Sequence, residues 1–198
     1  MRIHLIRHGE VHNPKHVVYA DLPGFALSEH GREQAAATAA RLADLDLDAL
    51  VSSPLDRAVA TAFAISEQNG RSVSTDQRLT EWKLGQRWAG VVWEELAEVF
   101  PGELAAYLED PLDLPFSPES LDTMAKRMAA VVCDWVQMTG GGEVAFVSHQ
   151  DPIHAVSRLL TGIGFDDYHD GKPEHCSVLT LAAEGGLWSV VDYWAPEQ

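Results

Sequence analysis

An arginine and a histidine stand together where the first apolar run ends, in Arg2-Ile3-His4-Leu5-Ile6-Arg7-His8-Gly9-Glu10. A buried strand stopping at Arg-His-Gly delivers a cation and an imidazole to a sheet edge, and glycine lets the backbone turn closely there. Arg57 falls about one turn into a predicted helix, where the helix dipole favours anions. A cation at that point makes sense if it reaches forward to share a bound anion. His149 closes a second apolar run, Val144-Ala145-Phe146-Val147-Ser148, and so repeats the placement of His8. Each residue also has a plain reading: a satisfied structural histidine, or an arginine solvated beside Asp56. Together, two arginines offer forked donors to phosphate oxygens, and two histidines offer a nucleophile and a further donor. Convergence of these groups would make a phosphoryl pocket.

In parallel α/β sheets, ligands sit outside the carboxyl ends of the strands, so groups distant in sequence can meet in one crevice. The patterning supplies such elements. Residues 1–6 read as the first strand, and 9–27 as a loop whose Asn13-Pro14, Lys15, Tyr19 and Pro23-Gly24 are turn-compatible. A connector of that length is usually functional or wrapped over a site. Ser28 caps a helix predicted to run to Asp44 with Ala35, Ala36, Ala39 and Leu42 inward. Residues 47–52 read as a second strand, followed by Ser53 as N-cap and Pro54 at the first helical position. A short strand is expected at 71–76.

From Trp82 to about Ser120 the pattern breaks into short helical pieces punctuated by Pro101, Pro111, Pro115 and Pro118. This stretch reads as a cap-like insertion with a small core of its own, with Trp88 and Trp93 as packing residues and Trp82 as the more open ring. A helix over about 118–139 carries Leu121, Met124, Met128, Val131, Val132, Trp135 and Met138 at helical spacing, a core stripe that ends at Gly140-Gly141-Gly142. Residues 144–148 read as a strand buried on both faces, with another helix after Pro152. The tail, 177–182 and 188–194 around Glu184-Gly185-Gly186, reads as two strands that can pair as a hairpin. The expectation is one α/β domain over 1–198: three layers, α/β/α, with a mostly parallel central sheet, helices on both faces and an insertion at about 82–120.

A formal net charge of −16 argues against nucleic-acid or anionic-membrane binding, so any phosphate site must be local. Cys133 and Cys176 are too few and too separated for a disulfide framework and read as buried, reduced thiols. No stretch approaches the roughly 18 apolar residues of a membrane span, and the start lacks a secretion pattern, so a cytoplasmic location is expected. A metal reading competes, because His4, His8, His12 and His16 recur every four residues. In an extended strand, four residues span roughly 13 Å, so His4 and His8 cannot share an ion, and no carboxylate or cysteine cluster completes a set. No metal or other cofactor is expected.

Five pieces in order resemble the histidine phosphatase superfamily, the phosphoglycerate mutase-like fold. They are Arg7-His8-Gly9-Glu10 with Asn13, Leu27 to Ala35, Ser52-Ser53-Pro54-Leu55-Asp56-Arg57-Ala58, Leu79-Thr80-Glu81, and Ser148-His149-Gln150-Asp151-Pro152-Ile153. The chain departs from the family pattern at Val11, in the spacing of Asn13, and at Gln150. The resemblance implies that His8 attacks phosphorus to form a phosphohistidine while Arg7, Arg57 and His149 hold the phosphoryl oxygens. It adds Asn13 and Gln150 to the substrate-binding set and makes Glu81 the general acid, then the base that activates water. Fixed cations would stabilise the charge of transfer without a metal ion.

The acceptor can be water or a retained hydroxy acid, which separates a phosphatase from a mutase; a non-catalytic phosphate-binding module is a third reading. Lys83 and Arg87 are the insertion's cations against many carboxylates, until Arg127 and Lys126 beyond it. That balance favours hydrolysis of a small-molecule phosphomonoester, with an apolar or ring-bearing leaving group suited to Trp82 and Trp88. The tail strand could pair in a homodimer.

Overall fold

The computed structural model describes residues 1–197. Its strands are β1 (Arg2–Arg7), β2 (Ala49–Ser52), β3 (Val73–Thr75), β4 (Glu143–Ser148), β5 (Val178–Glu184) and β6 (Leu187–Trp194). Its helices are α1 (Glu29–Leu42), α2 (Asp56–Asn69), α3 (Leu84–Trp88), α4 (Leu96–Val99), α5 (Glu103–Glu109), α6 (Leu121–Met138) and α7 (Gln150–Thr161). The six strands form one sheet in the order β3-β2-β4-β1-β5-β6. The first four of these are parallel, whereas β5 runs antiparallel to β1 and pairs with β6 in the tail hairpin. Gly185 and Gly186 turn that hairpin at φ of 58° and 86°, a conformation that favours glycine.

Alternation along β1 explains the two hydrophobic layers. Ile3 and Leu5 face α6 and α7, packing with Phe146, Met128, Val132 and Ile153. Ile6 faces α1 and α2, with Leu42, Leu50, Ala62 and Ile65. Between its terminal arginines β1 is covered on both faces, flanked by β4 and β5, and apolar at three of four positions. The exception is His4, whose Nδ1 meets Thr180 Oγ1 at 3.0 Å and whose Nε2 meets Glu143 Oε1 at 2.7 Å. The expected three-layer α/β/α architecture is therefore the observed one.

Several local expectations change. Helix α2 starts at Asp56 behind Leu55, not at Pro54 behind a Ser53 cap. The Ser53 hydroxyl lies 2.8 Å from His149 Nε2, and the Ser53 N–H still pairs with Val147 O. Ala36 is exposed, and the inward face of α1 is completed by Gln34 and Thr38. Gln34 Oε1 accepts from Glu10 N, and Thr38 donates to Cys176 O, so polar side chains on α1 tie down the backbone around β1's end. Met138 is 65% exposed at the frayed end of α6. Cys133 is exposed, in contrast to buried Cys176.

The segment after Trp82 does not form a core alone. Trp82, Leu84, Trp88, Leu96 and Tyr107 pack in one cluster with Leu121 and Met124 of α6, Ala155 of α7, and Tyr168. Trp82 is buried, its indole N–H donating to Glu119 O at 2.7 Å, while Trp93 is 37% exposed. Among the described residues, no helix is long and apolar enough to cross a membrane.

Close approach, rather than turn geometry, explains two glycines beside β1. A Cβ on Gly9 would sit 2.5 Å from Gly31 O, and one on Gly31 would sit 2.0 Å from Glu10 O. Neither obstacle is a flexible side chain. Gly31→Ala should therefore destabilise the chain by about 1–3 kcal/mol despite alanine's better helix propensity, measured as a lowered urea midpoint.

Candidate active site

The carboxyl ends of β1, β2 and β4 lie side by side, and their ladder continues past the strands: His8 N donates to Ser148 O at 3.0 Å, and Ser53 N to Val147 O at 2.8 Å. This register places His8 and His149 ring to ring, 5.1 Å apart and edge to face. Arg57, on the first turn of α2, reaches between them. Its Nε donates to His8 Nε2 at 3.1 Å and its Nη2 contacts His149 Nδ1 at 3.2 Å; Nη2 also donates to Ala20 O at 2.7 Å.

Arginine can only donate, so both nitrogens it meets are unprotonated. His8 therefore carries its proton on Nδ1, which donates to Gly9 O at 2.8 Å. His149 carries its proton on Nε2 and gives it to Ser53 Oγ. Burial, then the neighbouring positive charges, hold both imidazoles well below the usual histidine range, so each is neutral near pH 7.

Arg7 comes from the same junction as His8. Its Nη1 donates to Pro173 O and its Nη2 to His175 Nε2, both at 2.8 Å, while its Nε is buried without a partner. The segment before β5 also returns Cys176 N to Arg7 O at 3.0 Å, so it holds Arg7 by backbone and by side chain. His175 must accept from the guanidinium, which agrees with a pKa lowered to about 3 by burial and by Arg7. The long loop after β1 closes the site from above. Tyr19 lies with its ring centroid 4.8 Å from the Arg57 guanidinium carbon, and Ala20 adopts φ 41°, a strained value for a residue with a Cβ. The bond from Arg57 to the Ala20 carbonyl helps to hold that conformation.

A cavity of about 280 Å³ opens from these groups, and Glu81, Asn13 and Gln150 line it together with Asp151. Glu81 accepts from Trp82 N at 2.8 Å. Its carboxyl is pushed up to about 7, first by burial and then by the Asp151 carboxylate, against the pull of the Trp82 N–H, Arg57 and Arg7. Asn13 reaches the cavity wall, but its amide donates Nδ2 to Val17 O and accepts Val17 N on Oδ1, organising the loop. Gln150 is the first residue of α7. The histidines spaced by four residues have different partners: His4 is bonded inside the sheet, His8 sits in the site, and His16, at the cavity wall, is paired with Glu94 at 2.6 Å.

Sequence reasoning missed four residues here. Ser53 carries the local signature of a helix cap, but its hydroxyl sits on His149. His175 follows no apolar run and has no helix signal, and its only mark in the sequence is being an imidazole just before a strand. Asp151 and Lys172 form a pair at 2.7 Å, with Lys172 also donating to the Tyr107 hydroxyl at 2.8 Å. Asp151 was in view only as a neighbour of His149.

The fold and site together define an α/β protein whose ligand pocket, at the carboxyl edge of a mostly parallel sheet, is lined by Arg7 and neutral His8, with buried Arg57 and neutral His149 in direct contact with His8. Comparison with known proteins makes the class specific. The chain belongs to the histidine phosphatase superfamily (branch 1), whose family model matches residues 3–195. That membership makes it an enzyme of the histidine phosphatase type. An uncharacterized protein of Mycobacterium tuberculosis is 38% identical over 98% of this chain and 96% of its own length. The glucosyl-3-phosphoglycerate phosphatase of Mycolicibacterium vanbaalenii is 33% identical over 84% of this chain and 77% of its own. The solved structure of a mycobacterial glucosyl-3-phosphoglycerate phosphatase in complex with VO3 superposes with a TM-score of 0.86 at 30% identity, covering 99% of each chain.

The raised Glu81 carboxyl makes a stability prediction. Its ordinary value is 4.5 and its folded value about 7, so between these the folded chain binds more protons than the unfolded one. The folded state is therefore favoured by this group below pH 4.5 and loses that advantage as pH rises through 7. Glu81→Gln should match the wild type at pH 4 and exceed it by on the order of 1–3 kcal/mol at pH 8, read from urea unfolding at the two pH values.

Proposed function

We propose that this enzyme hydrolyses phosphomonoesters through a phosphohistidine on His8, without a metal ion. The carrying observation is the pinned tautomer of His8: Gly9 O holds the proton on Nδ1, and Arg57, by donating to Nε2, marks it as the nitrogen that carries the lone pair. In the first step Nε2 forms a bond to phosphorus as the bond to the leaving oxygen breaks. Protonated Glu81 gives its proton to that oxygen. In the second, the Glu81 carboxylate takes a proton from water, the water oxygen bonds to phosphorus, and the nitrogen–phosphorus bond breaks, releasing phosphate and neutral His8. A carboxyl raised toward neutrality suits both halves of this cycle.

Arg57 and Arg7 carry the electrostatic work, stabilising the negative charge spread over the transferring group. The unpartnered Nε of Arg7 is a donor available for a phosphoryl oxygen, and His175 acts through Arg7 as a positioning residue. A phosphoryl group drawing Arg57 forward frees His149 Nδ1, which takes the acidic proton of the monoanionic ester, leaving the dianion, and becomes a further donor to it. Asn13 and Gln150 line the approach to this centre. Hydrolysis is favoured over transfer to a retained acid because Arg7 is the one lysine or arginine among the residues lining the outer cavity.

Hydrolysis of p-nitrophenyl phosphate should persist in excess chelator and vanish in His8→Ala. Glu81→Gln should lose on the order of 100-fold to 10,000-fold in kcat on alkyl phosphates, and much less on p-nitrophenyl phosphate, whose leaving group needs no proton. Equal losses on both esters would remove Glu81 from the acid role. Turnover indifferent to His8 would remove the phosphohistidine.

A further inference from the structure

We infer that the leaving group accepted by this site is an uncharged, ring-bearing alcohol, so that the substrate's only anion is its phosphoryl group. The inference rests on the phosphoryl reading of the inner pocket and concerns what lies outside it. Beyond Arg7 and His8, and apart from the polar side made by Asn13, His16, Glu81, Gln150 and Asp151, the cavity wall is apolar and aromatic, with Val18, Leu84, Trp88, Trp93 and Tyr107 contributing. The rings are mutually supported. Trp88 meets Tyr107 edge to face at 5.6 Å and Trp93 edge to face at 6.4 Å, and Tyr107 meets Trp82 at 6.1 Å. Trp82, Trp88 and Tyr107 are buried and Tyr19 of the same wall is half-buried, so Trp93, at 37%, is the ring most open to a ligand. At about 280 Å³ the space suits one or two rings rather than an extended chain.

Charge makes the same selection. The carboxylates on this wall are Glu81 and Asp151, and Arg7, required by the phosphoryl group, is the one permanent cation among its described residues. Lys172 approaches from behind, but Asp151 and the Tyr107 hydroxyl hold its ammonium. Arg87 is paired with Glu103 at 2.9 Å and stacked on Phe100. A neighbouring polar arm of the site passes Glu10, His12 and His175, and there too Arg7 is the only arginine or lysine. A leaving group bearing a carboxylate would therefore be desolvated beside two further carboxyl groups with no unpaired cation to receive it, a cost that a neutral ring avoids.

The test compares kcat/KM of the wild-type enzyme for benzyl and 2-phenylethyl phosphate with that for phosphoserine and 3-phosphoglycerate. The inference expects the aromatic esters to be preferred by about tenfold or more. It further expects Trp93→Ala to erase most of that preference through a raised KM, and Trp93→Phe to restore it. Preference for the carboxylate esters, or a preference for aromatic esters that Trp93→Ala leaves intact, overturns it. Absence of turnover of every ester, p-nitrophenyl phosphate included, would instead overturn the hydrolase reading and this inference with it, so the two failures are told apart by p-nitrophenyl phosphate alone.

Discussion

Two guanidinium groups are buried at one sheet edge with neutral partners. Arg57 is satisfied by two imidazole nitrogens and a carbonyl, Arg7 by a carbonyl and an imidazole. Burial works against both charges, as the downward displacement of each pKa records. Several arginines elsewhere are paired with carboxylates, as in Arg127 with Glu119 and Arg41 with Asp192. Withholding a carboxylate from Arg7 and Arg57 costs stability and leaves a positive potential that only an incoming anion neutralises. The rest of the site follows from that constraint: the histidines beside the cations are neutral in the unliganded site, and of the two acids lining the cavity Glu81 is raised toward neutrality and Asp151 is held by Lys172.

The sheet supplies the precision such an arrangement needs. Because β2, β4 and β1 are adjacent and parallel, three chain reversals deliver Ser53, His149 and His8 within hydrogen-bond reach of one another's partners. The ladder bonds at His8 N and Ser53 N run into the site, so its innermost groups have the rigidity of the sheet rather than of loops. The segment from Pro173 to Cys176 and the loop through Tyr19 and Ala20 then enclose the arginines from two sides. Gly9 and Gly31 let α1 come close enough to brace the turn that carries His8.

Outside this core, the residues after Trp82 share a cluster with α6 and α7, which couples the aromatic wall of the cavity to the main fold. Its polar anchor is the Asp151–Lys172 pair, placed where α7 begins, directly after His149. The same carboxylate that holds Lys172 raises Glu81, so the outer wall and the acid are electrostatically linked.

The amino-acid sequence by itself determined the elements and the inner constellation. Strand and helix identity follow from side-chain period, and His8, Arg57 and His149 were legible because each sits at a junction whose local pattern marks it: an apolar run that stops, or a helix that starts. What only the tertiary structure decided are the partners reached across the chain. Ser53 carries the local signature of a helix cap and is taken by His149, 96 residues away. Asn13 has donors suited to an anion and spends them on Val17. Trp93 looks like core and lies in the cavity wall, and His175 has no pattern yet holds Arg7 from 168 residues away. Periodicity and capping are properties of a few successive residues, whereas a side chain with several possible partners is assigned by whichever one packing brings within 3 Å, and that depends on the whole fold.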